Sequence, residues 1–273
     1  MIPNLDRVTA LIVETAAEEV MPRFRMLEAH EVRQKNPGEL VTVVDVAVEK
    51  RLTSALIDLL PGSLVVGEEG VAETPDLLDG LVTDDRYAWI IDPIDGTANF
   101  AEGHETFAVM VALVRGQEIL AGWIHDPCSG RTAVGERGSG ACIDGVPQKI
   151  STAKTLSEMR GSLHGSRYGS ADLQERVKAA RRTLNIVKSL HCAGHEYLRL
   201  ISGEMDFTFF TRTKPWDHIP GTLLHAEAGG YNRLLDGAPY RPSDYDASGI
   251  LMAPGEATWQ SLREVLTGEI LDT

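Results

Sequence analysis

Cysteine is scarce in this chain: Cys128, Cys142 and Cys192 are the three it has among 273 residues. An odd number, widely spaced and without a C-x-x-C pair, excludes a disulfide framework and points to a reducing, cytoplasmic setting. Positive charge is also short, with 26 basic against 40 acidic residues and a formal net charge of −14. No basic run offsets that balance, which opposes non-specific binding to nucleic acid or to an anionic membrane. Apolar stretches stay well short of the ~20 residues that a bilayer span needs. The opening Met1-Ile2-Pro3-Asn4-Leu5-Asp6 lacks the basic start and apolar run of a signal peptide. Internal repeats and low-complexity linkers are missing too. What is there is a globular composition, 43% hydrophobic and 24% charged, at a length that suits one large or two smaller domains. Such a chain would repel an anionic substrate unless bound cations reversed the sign locally.

Apolar spacing predicts the elements. Val8, Leu11, Ile12, Ala16 and Val20 predict a helix over about 6–27. Val48, Leu52, Leu56 and Leu60 predict a second over 45–60, with Asp45 as N-cap and Pro61-Gly62 as its stop. Residues 63–67 read as a short strand that delivers Glu68-Glu69, and 87–91 as a buried strand. Between them, 68–86 is acidic and aperiodic, a surface loop or an irregular helix. Segments 107–115, 119–125, 131–137 and 140–143, divided by turn pairs, predict an antiparallel meander. Beyond Ser151 strands are expected at 162–164, 185–190, 205–211, 230–235 and 250–253, alternating with helices at 171–183, 194–202, 217–228 and 258–266. The chain therefore reads as an α+β part with an antiparallel sheet, residues 1–150, packed on an α/β part, residues 151–273.

One stretch carries most of the chemistry: Trp89-Ile90-Ile91-Asp92-Pro93-Ile94-Asp95-Gly96-Thr97-Ala98-Asn99-Phe100. It reads as a buried strand that ends in acid. Two carboxylates so close repel unless a positive charge lies between them, and a hard divalent cation fits. Gly96-Thr97 then offers backbone N–H groups and a hydroxyl to a phosphate at a helix start. Cation plus phosphate predicts metal-assisted phosphoryl chemistry. Asp45, Glu68 and Asp217 share the setting of strand end or helix start, and such positions converge at one edge of a sheet. In this reading Asp92 bridges two magnesium ions. Glu68 and the Ile94 carbonyl complete one, Asp95 and Asp217 the other. No Ser-His-Asp pattern is visible and no cysteine adjoins the motif, so the nucleophile is water, oriented by Thr97 with Asp45 behind it. The Gly96 and Thr97 N–H groups steady the phosphate oxygens.

Each residue also has a plainer reading. A lone aspartate at a helix start is more often a cap than a ligand. Glu68-Glu69 alone suits a solvated turn, and Asp95-Gly96 is a strong turn pair. His218 and His225 suit a core better than a magnesium site. Trp89, Trp123 and Trp216 suit core anchors.

Together these segments resemble the inositol monophosphatase family, within the lithium-sensitive, magnesium-dependent phosphatases that include fructose-bisphosphatases. The likeness spans nearly the whole chain. It rests on Thr42-x-x-Asp45-x-x-x-Glu49, Gly67-Glu68-Glu69, the aspartate motif, Trp216-Asp217-x-x-Pro220-Gly221 and Glu227-Ala228-Gly229-Gly230. It implies a layered α-β-α-β-α sandwich and hydrolysis of a small soluble phosphate monoester. It implies metal ligands at Glu68, Asp92, the Ile94 carbonyl, Asp95 and Asp217, with two or three magnesium ions to a site. Asp45, Thr97 and Glu68 would be the catalytic group, and lithium inhibition and a homodimer would be expected. Substrate contacts fall at Asp95, Gly96, Thr97, Gly194, His195, Glu196, Phe210 and Asp217.

Relatives that act on inositol phosphate usually carry a glutamate where Phe210 stands, and Gly-Ser/Thr-Ala where this chain has Gly194-His195-Glu196. An apolar Phe210 leaves polyol hydroxyls unpaired. Histidinol phosphate, a nucleotide bisphosphate and fructose bisphosphate therefore stay open beside inositol phosphate. His195 and Glu196 could read a polar or cationic substrate group, or cap a helix. A metal-binding regulatory pseudoenzyme is the non-catalytic alternative, although no acid of the set is missing. A calcium module lacks its dense D-x-D-x-D loop.

Overall fold

A strand that is apolar along its whole length needs cover on both faces, and the strand that carries the aspartate motif has it. The computed structural model describes residues 2–36, 38–83, 85–152, 154–164 and 169–268. In chain order the elements begin with α1 (Leu5–Thr15), β1 (Val32–Asn36), β2 (Glu39–Thr42), α2 (Val43–Leu59), β3 (Leu64–Gly67), α3 (Glu68–Glu73), α4 (Asp79–Thr83) and β4 (Tyr87–Asp95). Then come α5 (Thr97–Ala101), β5 (Ala108–Arg115), β6 (Glu118–His125), β7 (Thr132–Glu136), β8 (Gly140–Ile143) and β9 (Val146–Pro147). The second part holds β10 (Gly161–Leu163), α6 (Ala171–Thr183), α7 (Ala193–Ile201), β11 (Phe207–Phe210), α8 (Pro215–Glu227), β12 (Tyr231–Leu234), β13 (Ile250–Ala253) and α9 (Glu256–Thr267).

A seven-stranded sheet runs β3-β4-β5-β6-β7-β8-β9, parallel only at β3–β4 and a meander thereafter. Alternate residues of β4 and β5 feed two cores. Trp89, Ile91, Val109 and Val111 pack with α1 and α2, while Ala88, Ile90, Met110 and Ala112 pack with α7 and α8. The α8 layer sits close: a Cβ at Gly122 would lie 2.9 Å from the Pro220 carbonyl oxygen, and one at Gly135 2.9 Å from Leu224 Cδ2. On the far side of α7 and α8 lies a four-stranded sheet, β10-β11-β13-β12, backed by α6 and α9 around Val177, Phe207 and Trp259. The order is α-β-α-β-α. The middle core draws on both parts of the chain, from Val66 to Met252. No described helix is long and apolar enough to cross a membrane.

Local departures have local causes. The helix expected over 6–27 leaves α-geometry at Ala16, passes through a π turn and ends in a 3₁₀ turn at Met21–Arg23, where Pro22 removes an N–H. The N-cap of α2 is Thr42 and not Asp45. Thr42 and Asp45 form a reciprocal capping box, which leaves Asp45 in the first helical turn. Within the acidic stretch, residues 68–83 are an irregular run of α3, a 3₁₀ turn and α4. The strand expected at 185–190 reduces to one parallel bridge, Gly161 with Ile186. Within the second sheet β10–β11 is the parallel pair, and β13 runs antiparallel to both of its neighbours.

Candidate active site

Register decides which way the acids of β4 face. Asp92 pairs with Met110 and Asp95 with Ala108 across β5, so β4 carries one extra residue here, a bulge at Pro93-Ile94. Strict alternation would send the two aspartates to opposite faces. The bulge re-phases the strand. Both stand on the face of Met110 and Ala108, while Ile94 joins Ile91 in the opposite core. Gly96 follows at φ +87°, and a Cβ there would meet the Thr106 carbonyl oxygen at 3.0 Å, so α5 can begin at Thr97 only behind a glycine.

Other elements bring their acids to the same place. Asp45 is fully buried. Its Oδ2 accepts the Thr42 N–H at 2.7 Å and the Thr42 hydroxyl at 2.5 Å. Its Oδ1 faces the Thr97 hydroxyl at 3.2 Å, and that hydroxyl also lies 3.0 Å from the Ile94 carbonyl oxygen. Burial lifts Asp45 to about 7, although the Thr42 bonds pull the other way. Asp217, in the first turn of α8, is lifted to about 8 by burial and by the charges of Asp95 and Glu68, and it contacts Asp92. Burial, then Glu68, Asp95 and Asp217, push Asp92 well above the usual carboxylate range. Its Oδ1 is buried with no hydrogen-bond partner among the described residues.

Glu68 opens α3 directly after β3, beside Glu69, and Lys35 of β1 reaches both, at 3.0 and 2.5 Å. Burial raises Glu68 and Lys35 opposes it. Burial pulls Lys35 down, but the two glutamates outweigh it and hold its ammonium charged. Glu49 steadies this corner by accepting the Glu69 and Gly70 N–H groups at 2.8 and 2.7 Å. Gly67 is glycine for that reason: a Cβ there would lie 2.3 Å from the Glu49 carboxyl carbon.

Glu68, Asp92, Ile94, Asp95, Gly96, Thr97, Phe210 and Asp217 line one cleft of about 640 Å³, and Asp45 sits behind Thr97. Asp217 thus meets Asp92 and Asp95 as the acid-cluster reading requires. No three described His, Cys, Asp or Glu side chains close into a finished ligand cage. The residues nonetheless suit a hard cation: the donors are all oxygen, Asp92 Oδ1 has no hydrogen-bond partner among the described residues, and burial with mutual repulsion raises the carboxylates above their usual range.

Gly194, His195 and Glu196 do not line the cleft. Gly194 donates its N–H to Asp95 Oδ2 at 2.6 Å, beside the Cys192 thiol at 2.9 Å, so Asp95 caps α7 from another segment. His195 turns to the Phe107 carbonyl oxygen at 3.1 Å and to Asp126 at 3.7 Å. Glu196 is fully buried beneath Ser162 and His164. The expectation that His195 and Glu196 touch substrate is therefore corrected, because the first turn of α7 aims both into protein. His218 and His225 are core residues that burial lowers to about 3. Lys35, His164, Arg181 and Arg212 went unseen in the sequence; the last three line the cleft. No spacing rule marks them, since each comes from a different element.

Five layers with acids, a threonine hydroxyl and a glycine turn gathered in one cleft define a phosphatase of the layered α-β-α-β-α kind. The model of the inositol monophosphatase family matches residues 4–270, and the chain belongs to that family. It is 31% identical over 192 residues to the fructose-1,6-bisphosphatase/inositol-1-monophosphatase of Thermotoga maritima, covering 70% of each chain. It is 32% identical over 211 residues to inositol monophosphatase 1 of Solanum lycopersicum, covering 74% of this chain and 75% of that one. The solved structure of a Thermotoga maritima IMPase superposes with a TM-score of 0.80 at 24% identity, over 97% of this chain and 96% of that chain.

Proposed function

We propose that this chain hydrolyses a small phosphate monoester to alcohol and inorganic phosphate in a magnesium-dependent reaction. The observation that carries the reading is the Thr97 hydroxyl, held 3.2 Å from Asp45 at the edge of an acid cluster that calls for a cation. Glu68, Asp92, the Ile94 carbonyl, Asp95 and Asp217 would hold the metal, which when bound lowers the pKa of water and screens phosphate charge. Asp45, bound twice by Thr42, accepts the Thr97 proton. The Thr97 oxygen is then free to accept a proton from water and so aim the water's lone pair at phosphorus. First-turn N–H groups of α5 lack intrahelical acceptors and suit phosphate oxygens. A purely regulatory metal site would have no use for this hydroxyl relay.

Inositol phosphate, fructose bisphosphate, histidinol phosphate and a nucleotide bisphosphate are the substrates to compare. The name of the Thermotoga relative joins the first two. Phosphate release from that panel is expected with magnesium and not without it, and Asp92→Asn is expected to abolish release while circular dichroism stays that of a folded protein. Release by Asp92→Asn at the wild-type rate, or none by the wild type from any compound, sinks the reading. A homodimer and lithium inhibition belong to the same proposal; sedimentation and a lithium titration of turnover check them.

A further inference from the structure

Asp95 is held from a second segment, and that segment has a fastening of its own. Asp95 Oδ2 accepts the Gly194 N–H at 2.6 Å and the Cys192 thiol at 2.9 Å, and the Ala193 N–H also bonds the carboxylate. Burial raises Asp95, and these donors work against the rise. They also fix how the carboxylate is turned. All three belong to the N-cap and first turn of α7, so the aim of Asp95 depends on the seating of that turn.

Two features seat it. Gly194 lies close on the sheet: a Cβ there would be 2.9 Å from Ala108 Cβ and 3.2 Å from Ile124 Cγ2. Ala108 is the residue opposite Asp95 in the β4–β5 pair. The other feature is His195, next in the chain. Its Nε2 lies 3.1 Å from the carbonyl oxygen of Phe107, the neighbour of Ala108. A carbonyl only accepts, so Nε2 carries a proton and donates it, and the bond asks nothing of the ring's charge. Asp126 Oδ2, 3.7 Å from the same nitrogen, favours a hydrogen there. Asp126 is itself pinned by the Cys128 N–H, the Ser129 N–H and the Ser129 hydroxyl, at 3.0, 3.2 and 2.5 Å. Phe107 is a firm anchor: its ring is fully buried against Phe24 and Phe100, with centroids 5.1 and 5.0 Å away. The His195 bond is no helix cap. A first turn leaves N–H groups in need of acceptors, and His195 brings a donor to a carbonyl of another segment.

We propose that His195 is a positioning residue for Asp95: by tying the first turn of α7 to the start of β5, it keeps Gly194 and Cys192 on the carboxylate and so sets its aim at the cation. This role rests on the reading of Asp95 as a metal ligand. His195 itself touches neither cation nor substrate.

Calorimetric titration with magnesium, on protein stripped by chelator and dialysed, reads the effect without turnover. His195→Ala is expected to weaken magnesium binding about tenfold, the lower end of what support behind a metal ligand is worth. Turnover should split the same way, with more magnesium needed for half-maximal rate and kcat at saturation changed far less. His195→Gln carries its amide N–H to the place of Nε2 and should restore the affinity. His195→Asn stops at the place of Nδ1 and should not. Exchange of the Gly194 amide proton, followed by NMR in chelator, should quicken in the alanine and asparagine variants and recover in the glutamine variant. If His195→Ala fails to fold, the glutamine and asparagine variants decide. If the wild type binds no magnesium, the metal reading of Asp95 falls, and amide exchange still judges the hold on Asp95. A lowered Tm with magnesium affinity unmoved would reduce His195 to a stabilising contact. That result, wild-type Gly194 exchange in the alanine and asparagine variants, or an asparagine variant equal to the glutamine one, overturns the proposal.

Discussion

The Thr97 hydroxyl has one proton and two acceptors within reach. It can donate to Asp45 or to the Ile94 carbonyl, and only the first choice lets Asp45 draw charge through it. Removing the hydroxyl leaves Asp45 in place, since Thr42 binds the other carboxylate oxygen. Thr97→Ala is therefore expected to lower kcat by about 100-fold, the scale of general-base assistance, with KM changed far less. Steady-state kinetics check it, and Thr97→Ser should restore most of the loss. A change confined to KM would place Thr97 in binding alone. At this scale the acids were legible in the sequence because Asp92 and Asp95 are neighbours along the chain, Glu68 follows a strand and Asp217 stands at a helix start, and the apolar pattern already marks both elements. His164 and Lys35 were not. A histidine two residues past a serine says nothing until Glu196, from a helix far along the chain, comes to lie beneath it.

At the scale of elements, two short irregularities set the site. The β4 bulge puts both aspartates on one face, and the β3–α3 corner that carries Glu68 is tied to the Glu49 carboxylate through the Glu69 and Gly70 N–H groups. The sequence showed where β4 ends but not the bulge, because register is a property of the pair and β5 supplies the other half. It likewise marked Asp45 at a helix start but missed the cap by one turn, since a capping box shares its work between Thr42 and Asp45. The corner makes its own prediction. A methyl group at Gly67 would overlap the Glu49 carboxyl, so Gly67→Ala must push Glu49 away from the Glu69 and Gly70 N–H groups. Two buried donors lose their partner, at a cost of about 1–3 kcal/mol each. The expected result is a lower midpoint in urea and weaker magnesium binding, because Glu68 moves with the corner. A wild-type midpoint would show that Glu49 has another place to go.

For the whole molecule, the acid cluster makes stability depend on pH and metal together. Burial and mutual repulsion raise Asp45 and Glu49 to about 7 and Asp217 to about 8. Below the ordinary carboxylate range, about 4, both folded and unfolded chains hold these protons and the groups contribute nothing to the balance. Between that range and the raised values the unfolded chain ionises first. The folded state then binds more protons, so stability falls as pH rises. Above the raised values the loss is complete and level. On the proposed function, magnesium would supply the missing positive charge and bind only the folded site, so its stabilisation should grow over the same window. Thermal melts in chelator should therefore lose Tm from pH 5 to pH 8, about the window these groups span. Saturating magnesium should raise Tm more at the upper pH than at the lower. The Asp92→Asn chain, relieved of one repelling charge, should melt no lower than wild type in chelator and gain less from the metal. A chelated Tm that climbs across the window, or an equal magnesium shift at both ends of it, would mean that the gathered acids are balanced within the protein and do not await a cation.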